Sequence, residues 1–398
     1  MREPDGAPLD IVMLGDGALE SRVAYTPQRV AAGLARRRRV LYVDPPYAAR
    51  TFLKRPGMLM NGSLRAVRDG LFLLKPPVPL PNRFQHHGMF RAMARGIERH
   101  WLRRALRELG MDRFAVWVYS PYDAPLVAKL GARLVAFEYK DEISSFPTYR
   151  APRRKLAVQR LERTLLQRAD VVFAPTEVLA ERKRALHPRV HVVPFAVDRD
   201  HFATARLAAT EIPQDVGALP RPRVGYIGAL DRYKVDFDLL TEVAGARPRY
   251  CFVLVGPIGV TDPTRASHLP RGENLVFLGE RSYDLLPGYL KAFDVCIVPH
   301  CLNRYAQTNF PFKILEYLAA GRPIVATDLP ALRGMGSAVR IAGSAAEFAA
   351  RIDECLLAPP VNGQRPPDSC WSWEERTDRM LEILEGVEGL AGRARAGA

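Results

Sequence analysis

Hydrophobic residues along the chain gather in short unbroken runs. In the first half these are LDIVMLG (9–15), VLYVDPP (40–46), FAVWVYSP (114–121), ARLVAFEYKDE (132–142), DVVFAPT (170–176) and VHVVPFAVD (190–198). Polar residues do not alternate with apolar ones inside them, so each reads as a strand buried on both faces, as in a parallel sheet. Helical stretches separate the runs. In YTPQRVAAGLARRRR (25–39), Val30 and Leu34 share one face, and the closing arginines suit the negative end of a helix dipole. This strand–helix alternation predicts a doubly wound α/β domain.

The alternation breaks at RDHFATARLAATEIPQDVGALPRPR (199–223), which has mixed period and three prolines and reads as a linker. It restarts with VGYIGAL (224–230), YCFVLVGP (250–257), NLVFLGE (274–280), DVCIVPH (294–300) and PIVATD (323–328). The pattern thus predicts two Rossmann-like domains, residues 1–200 and 201–370, facing across a cleft where ligands of such sheets bind. The segment 359–369 reads as a loop. Residues 371–387 read as an amphipathic helix that docks back on the first domain through Trp373, Met380, Leu381 and Leu384.

A length of 398 residues with 48% hydrophobic and 25% charged residues is globular composition. No apolar run approaches the roughly 18–20 residues that span a bilayer, and the first residues lack a signal peptide's apolar region, so a cytoplasmic location is expected. The five cysteines (251, 296, 301, 355, 370) show no metal spacing and read as unpaired thiols. Residues 1–200 hold 36 Lys and Arg against 20 Asp and Glu, while residues 201–398 hold 22 against 23. A one-sided basic field predicts an anionic partner: a membrane surface, nucleic acid or a phosphate-bearing substrate. Its alternative is an arginine-rich surface with no partner. No helix-turn-helix, zinc finger or RNP-like motif is present, so nucleic acid is not expected.

Candidate chemistry lies at strand ends. In GYIGALDRYK (225–234), Gly228 ends a strand and the cations Arg232 and Lys234 precede the next helix, a candidate diphosphate site. In HCLNRYAQTNFPFKILEYLAAGRPIVATD (300–328), Lys313 and Glu316 lie at i and i+3 on an otherwise apolar helix. They form either a surface pair worth tenths of a kcal/mol or a buried pair that needs a task. In the first half, GDG (15–17), YSP (119–121) and EYKDE (138–142) end strands, with Asp141 and Glu142 at the mouth of the last. The stretch DRD (198–200) lies in the linker and is read as non-metal. MFRAMARGIERHWLRRALREL (89–109) places Phe90, Met93, Ile97 and Trp101 at helical spacing beside Arg95, Arg99, Arg103 and Arg107. That helix either lies on anionic lipid or packs on the sheet.

These residues carry a resemblance. KILEYLAAGRPIVATDLPAL resembles the donor-binding segment of GT-B fold glycosyltransferases, in particular the retaining family 4 group (glycosyl transferases group 1). Thr308, Asn309, Pro311, Lys313, Glu316 and Tyr317 follow the order of one of its branches. LERTLLQRADVVFAPTEVLAERK (161–183), VVPFAVDRDHF (192–202) and VGYIGALDRYKVDFDLL (224–240) are similar to three further segments of that family. The resemblance implies transfer of a sugar from a UDP-, GDP- or dTDP-linked donor to a hydroxyl or amine, with retention and without a metal or other cofactor. Acceptors it allows are a glycan, a lipid-linked sugar or a small molecule, in polysaccharide, cell-envelope or natural-product glycosylation at the inner face of the cell membrane. It assigns the ribose to Glu316, the diphosphate to Lys234 or Arg232, and leaving-group charge to Lys313. Thr308 and Asn309 then sit near phosphate or sugar, Gly228 with Gly15 and Gly17 opens the crevice, and Asp141 contacts the acceptor. Two departures stand out. Thr308 replaces the first of two glutamates many relatives carry, and Phe195-Ala196 replaces an Asn-Gly pair. The alternatives are a nucleotide-sugar epimerase on the same fold and a non-enzymatic basic protein that binds membrane or nucleic acid.

Overall fold

The computed structural model describes residues 8–20, 26–45, 62–76, 88–146, 149, 151–259, 264–357 and 371–396. The loop expected at 359–369 and the side chains of Phe90 and Met93 lie outside the described residues. The chain divides into two compact units. The first is drawn from Met1–Lys140, Pro152–Val193 and Trp373–Ala398, the second from Asp141–Ala151 and Pro194–Ser372. Among the described residues no helix is long and apolar enough to cross a membrane.

The first unit is built on β1 (Asp10–Leu14), β2 (Val40–Val43), β3 (Ser63–Arg68), β4 (Leu71–Lys75), β5 (Phe114–Val118), β6 (Leu134–Glu138), β7 (Val171–Ala174) and β8 (Val190–Val192). Their order in the sheet is β3-β4-β2-β1-β5-β6-β7-β8. All neighbours pair parallel except β3 with β4. That antiparallel pair went unread in the sequence because β3 is almost wholly exposed and its SLRAVR pattern carries no buried run. The helices include α1 (Thr26–Leu34), α2 (Gly88–Leu109), α3 (Pro152–Leu166) and α4 (Glu177–Arg184). Thr176 caps α4 by accepting from Leu179 N–H. On α2, Leu102, Ala105 and Leu106 enter the core beneath the sheet. Trp101 stays half-buried, with the Arg104 guanidinium 5.5 Å above its ring. The fully buried stripe of α2 thus runs through Leu102, Ala105 and Leu106, while Ile97 and Trp101 are partly buried.

The second unit holds β9 (Arg223–Ile227), β10 (Cys251–Val255), β11 (Leu275–Gly279), β12 (Val295–Val298), β13 (Ile324–Thr327) and β14 (Arg340–Ala342), all parallel in the order β11-β10-β9-β12-β13-β14. Its labelled helices are α5 (Arg199–Ala203), α6 (Phe237–Ala246), α7 (Leu286–Ala292), α8 (Lys313–Ala319) and α9 (Ala345–Leu357). Alternate strand residues sort into two cores. Cys251, Val253, Cys296 and Ile324 pack with Leu290 of α7 and Ile314 of α8. Phe252, Leu254, Val295 and Val325 pack with Leu240 of α6 and Phe348 of α9. Both faces are covered, which is why these strands read as continuous apolar runs.

Residues 199–223 differ from the expected linker. They form α5, capped by Asp198 accepting from His201 N–H and burying Phe202, then further helical turns, one of which buries Val216 in the second unit's core. The mixed period arose from several short helices, each too short to show periodicity. Asp198 of the DRD stretch is thus a helix cap.

The last helix, α10 (Trp373–Ala396), packs against α1 and buries Met380, Leu381 and Leu384 in the first unit. Arg376 on α10 donates to Glu138 at the end of β6 (2.8 Å), and Trp117 Nε1 donates to the second carboxylate oxygen (2.7 Å). Arg376 and Glu138 are 1% and 0% exposed, so this pair is fully withdrawn from water.

Candidate functional site

In each sheet the strand order reverses between the first strand and a later neighbour, at β1/β5 and at β9/β12. Such switch points leave a crevice beyond the carboxyl ends of the strands. In the second unit β9 and β12 pair only at Val224–Val295 and Gly225–Cys296, then part. Beyond the split, the Tyr317 hydroxyl accepts from Ile227 N–H (2.8 Å) and donates to Ile227 C=O (3.3 Å). Gly228 N–H turns the other way, to Val255 C=O. Tyr317 therefore replaces a missing strand and pins α8 beside the end of β9.

Gly228 follows with φ +153°, where L side chains are rare, and a Cβ there would lie 2.7 Å from Lys313 Cε and 3.0 Å from Tyr226 Oη. On the other side, a Cβ on Gly256 would meet Gly228 C=O at 2.0 Å. Two glycines thus let the ends of β9 and β10 close together under Lys313.

Lys313 opens α8 and is buried, with its Nζ 5.0 Å from the Tyr226 ring centre. Burial pushes its pKa down to about 8, helped by Lys234 and opposed by Glu316. Glu316, one turn along, keeps a partly accessible carboxylate, and burial pushes it up to about 7 against the pull of Lys313. Among the described residues neither group is within ion-pair distance of an opposite charge. The sequence left open a surface pair or a buried pair; the structure shows a buried lysine and a half-buried glutamate that do not clasp each other. α8 ends in a Schellman motif, with Gly321 at φ +68°, Gly321 N–H on Leu318 C=O and Arg322 N–H on Tyr317 C=O.

Lys234 stands over two tyrosine rings, 5.3 Å from Tyr233 and 5.8 Å from Tyr305. Its charge and that of Lys313 both reach His300, two residues beyond β12. His300 is buried, its Nε2 has no partner among the described residues, and burial with the two lysines holds its pKa well below the usual imidazole range. The Arg232 side chain is exposed, and its backbone N–H donates to Thr264. Thr308 is buried and donates to Tyr305 C=O, while Asn309 is half-buried.

Asp141 belongs with the second unit, where Tyr305 Oη donates to its carboxylate (3.3 Å). Phe146 packs edge-on to Tyr305, 5.1 Å between ring centres. The expectation had grouped Asp141 with the strand ends of the first domain. Sequence reasoning gave no role to Tyr226, His300, Tyr305 or Tyr317; their shared signal is position at the end of β9 or in the loop and helix that follow β12.

Gly15 and Gly17 lie in the first unit, at the carboxyl end of β1. A Cβ on Gly15 would meet Tyr42 Oη at 2.3 Å, and that hydroxyl donates to Gly17 C=O (2.6 Å). Asp16 between them pairs with Lys140. The structure therefore groups Gly228, Lys234, Lys313, Glu316, Thr308, Asn309 and Asp141 in the second unit and Gly15 with Gly17 in the first.

Two sheets of mainly parallel strands, each with its own switch point, give this chain the GT-B fold. Sucrose-phosphate synthase from Thermosynechococcus elongatus shares it at a TM-score of 0.72 with 14% identity, covering 96% of this chain and 100% of that one. Anabaena HepE, solved in complex with UDP and glucose, shares it at 0.62 with 14% identity, covering 95% and 100%. Residues 221–357, which carry most of the second unit's site, match the family model of glycosyl transferases group 1. TuaH of Bacillus subtilis (strain 168), named for a glycosyltransferase of teichuronic acid biosynthesis, is 29% identical over 187 residues. That match spans 46% of this chain and 46% of TuaH, so it covers about half of the curated relative.

Proposed function

We propose that this protein transfers a sugar from a nucleoside-diphosphate sugar to an acceptor hydroxyl or amine, with the donor held by the second unit. The observation that carries this reading is the meeting of Gly228, Lys313, Lys234 and Glu316 at the β9/β12 switch point of a segment that matches the group 1 family. A carboxylate accepts two hydroxyl donors, so Glu316 takes the ribose diol. Lys234 and Lys313 face the diphosphate, and Gly228 lets it approach the backbone. When the bond from the anomeric carbon to the diphosphate breaks, its electron pair stays on phosphate. The acceptor oxygen or nitrogen bonds to that carbon and passes its proton to the departing phosphate oxygen, and two buried or half-buried cations stabilise the developing charge in a medium of low dielectric. In this reading Asn309 meets the phosphate or the sugar, and Asp141, hydrogen-bonded to Tyr305, contacts the acceptor.

Retention at the anomeric carbon, action without a metal, and work on a polysaccharide or lipid-linked acceptor at the inner face of the membrane belong to the same proposal. The likeness to TuaH and the basic first half support the cell-envelope setting. The test is transfer and hydrolysis with a panel of UDP-, GDP- and dTDP-sugars, comparing wild type with Glu316→Ala and Lys234→Ala. Loss of about 10²–10³ in turnover is expected for Lys234→Ala, the scale of removing one charge-stabilising group. Near wild-type turnover in both variants would remove the site, and isomerised donor without acceptor would favour an epimerase.

A further inference from the structure

We propose that the first unit binds a phosphate-bearing anion in a pocket formed by Arg99, His100, Arg103 and Arg107 around Gly96. The pocket has a volume of about 390 Å³, inside the about 300–1,000 Å³ range of ligand sites. Its floor includes Phe114, which opens β5, so it lies at the strand-start end of the sheet. The carboxyl ends of the strands, with Asp16 and Lys140, are at the opposite end.

Three observations point to an anion. First, Arg99, Arg103 and Arg107 recur every four residues on α2, on one face, where like charges repel each other. Second, among the described residues none of them, nor His100, makes an ion pair. Arg103 reaches only Lys129 C=O (3.0 Å), and Arg107 only Arg103 C=O (3.4 Å). Pairing is otherwise common in this unit: Arg36, Arg37, Arg38 and Arg39 meet Glu374, Asp378, Glu385 and Asp10, and Arg95 on the same helix meets Glu98 and Asp123. The single acid lining the pocket is Asp112. Third, Gly96 sits inside a 22-residue helix, and a Cβ there would meet nothing within 4 Å. Glycine in a helix interior costs about 1 kcal/mol relative to alanine, and no neighbouring group requires it here. Its effect is to leave the pocket wall open between turns of arginine.

Guanidinium forks match phosphate oxygens two at a time, and His100 adds a donor at the rim. The pocket is larger than one phosphate group, so a phosphoryl with an attached group fits. A soluble diphosphate and a phospholipid headgroup share this chemistry. The inference does not depend on the donor site of the second unit.

The test uses the full chain, calorimetric titration with inorganic pyrophosphate, and co-sedimentation with phosphatidylglycerol against phosphatidylcholine vesicles. Gly96→Leu fills the pocket without changing charge and should melt at or above wild type, since leucine is the better helix former. Arg99→Gln with Arg103→Gln removes two cations, and Arg36→Gln with Arg37→Gln is the control of equal charge. We expect binding to pyrophosphate or to anionic vesicles that both pocket variants weaken about tenfold and the control leaves within about twofold. Pyrophosphate binding marks a soluble ligand, and vesicle binding alone marks a headgroup. No binding by wild type overturns the pocket. So does binding that Gly96→Leu leaves intact, or that only Lys234→Ala removes.

Discussion

Lys313 Nζ lies 2.9 Å from the point where a Cβ on Gly228 would sit. The ammonium and the glycine are therefore one arrangement: the side chain that Gly228 lacks leaves the space Lys313 occupies. Gly228→Ala would displace Lys313 and force alanine to φ +153°. Backbone strain of this kind costs about 1–3 kcal/mol. Expected outcomes are a lower melting temperature for the second unit and nucleoside-diphosphate affinity down by about tenfold or more. Calorimetry on the variant with and without UDP checks both, and unchanged affinity would separate Gly228 from the donor.

Glu316 and Lys313 set a pH window for that affinity. Ribose hydroxyls need the ionised carboxylate, which burial raises to about 7, and the diphosphate needs the protonated amine, which burial lowers to about 8. UDP affinity should be greatest between these values, weakening in acid as Glu316 protonates and in base as Lys313 loses its proton. For stability the carboxyl has the opposite sign. Its folded pKa lies above the unfolded one, so the folded state holds the proton more tightly, and stability falls as pH rises from about 4.5 towards about 7. Glu316→Gln should remove the acid limb of binding and flatten that fall. Titrations from pH 5.5 to 8.5 decide it; an acid limb that persists in the variant assigns it elsewhere.

Much of this was legible in the sequence, and the reasons for the exceptions are physical. Strands such as FAVWV and CFVLV are buried at every position, so composition alone marks them. The motif around Lys313 and Glu316 and the glycine after β9 lay at strand and helix ends, where pattern changes are sharp. Asp141 was legible as a polar residue at a strand end. Its partner Tyr305 lies 164 positions away, and no local pattern reports a contact of that separation. His300 was legible as the end of a strand, but its burial between two lysines depends on α8 and the β9 loop folding over it. The helices of 199–206 were missed because three to five residues cannot display a 3.6-residue period.

The Tyr317 hydroxyl serves both backbone groups of Ile227 where β9 and β12 part. Tyr317→Phe keeps the ring and leaves a buried N–H and C=O without partners. The expected cost is about 1–3 kcal/mol, the penalty for an unsatisfied buried group. It should appear in denaturant unfolding of the second unit, with secondary structure unchanged by circular dichroism. A smaller loss would mean water replaces the hydroxyl at the switch point.

Arg376 and Glu138 join α10 to the end of β6, and neither is measurably exposed beyond 1%. Taking two charges out of water is costly, and their attraction with the Trp117 hydrogen bond offsets that cost only while both are present. Arg376→Met alone should therefore destabilise the first unit by about 3–5 kcal/mol, because Glu138 is left buried without a counter-charge. Adding Glu138→Gln should recover most of the loss: the amide oxygen still accepts from Trp117, and no charge remains to be solvated. The coupling energy from the double-mutant cycle separates this from loss of packing. If packing of α10 were the whole cause, the second substitution would restore nothing, and the ion pair would have no part in holding the last helix to the first unit.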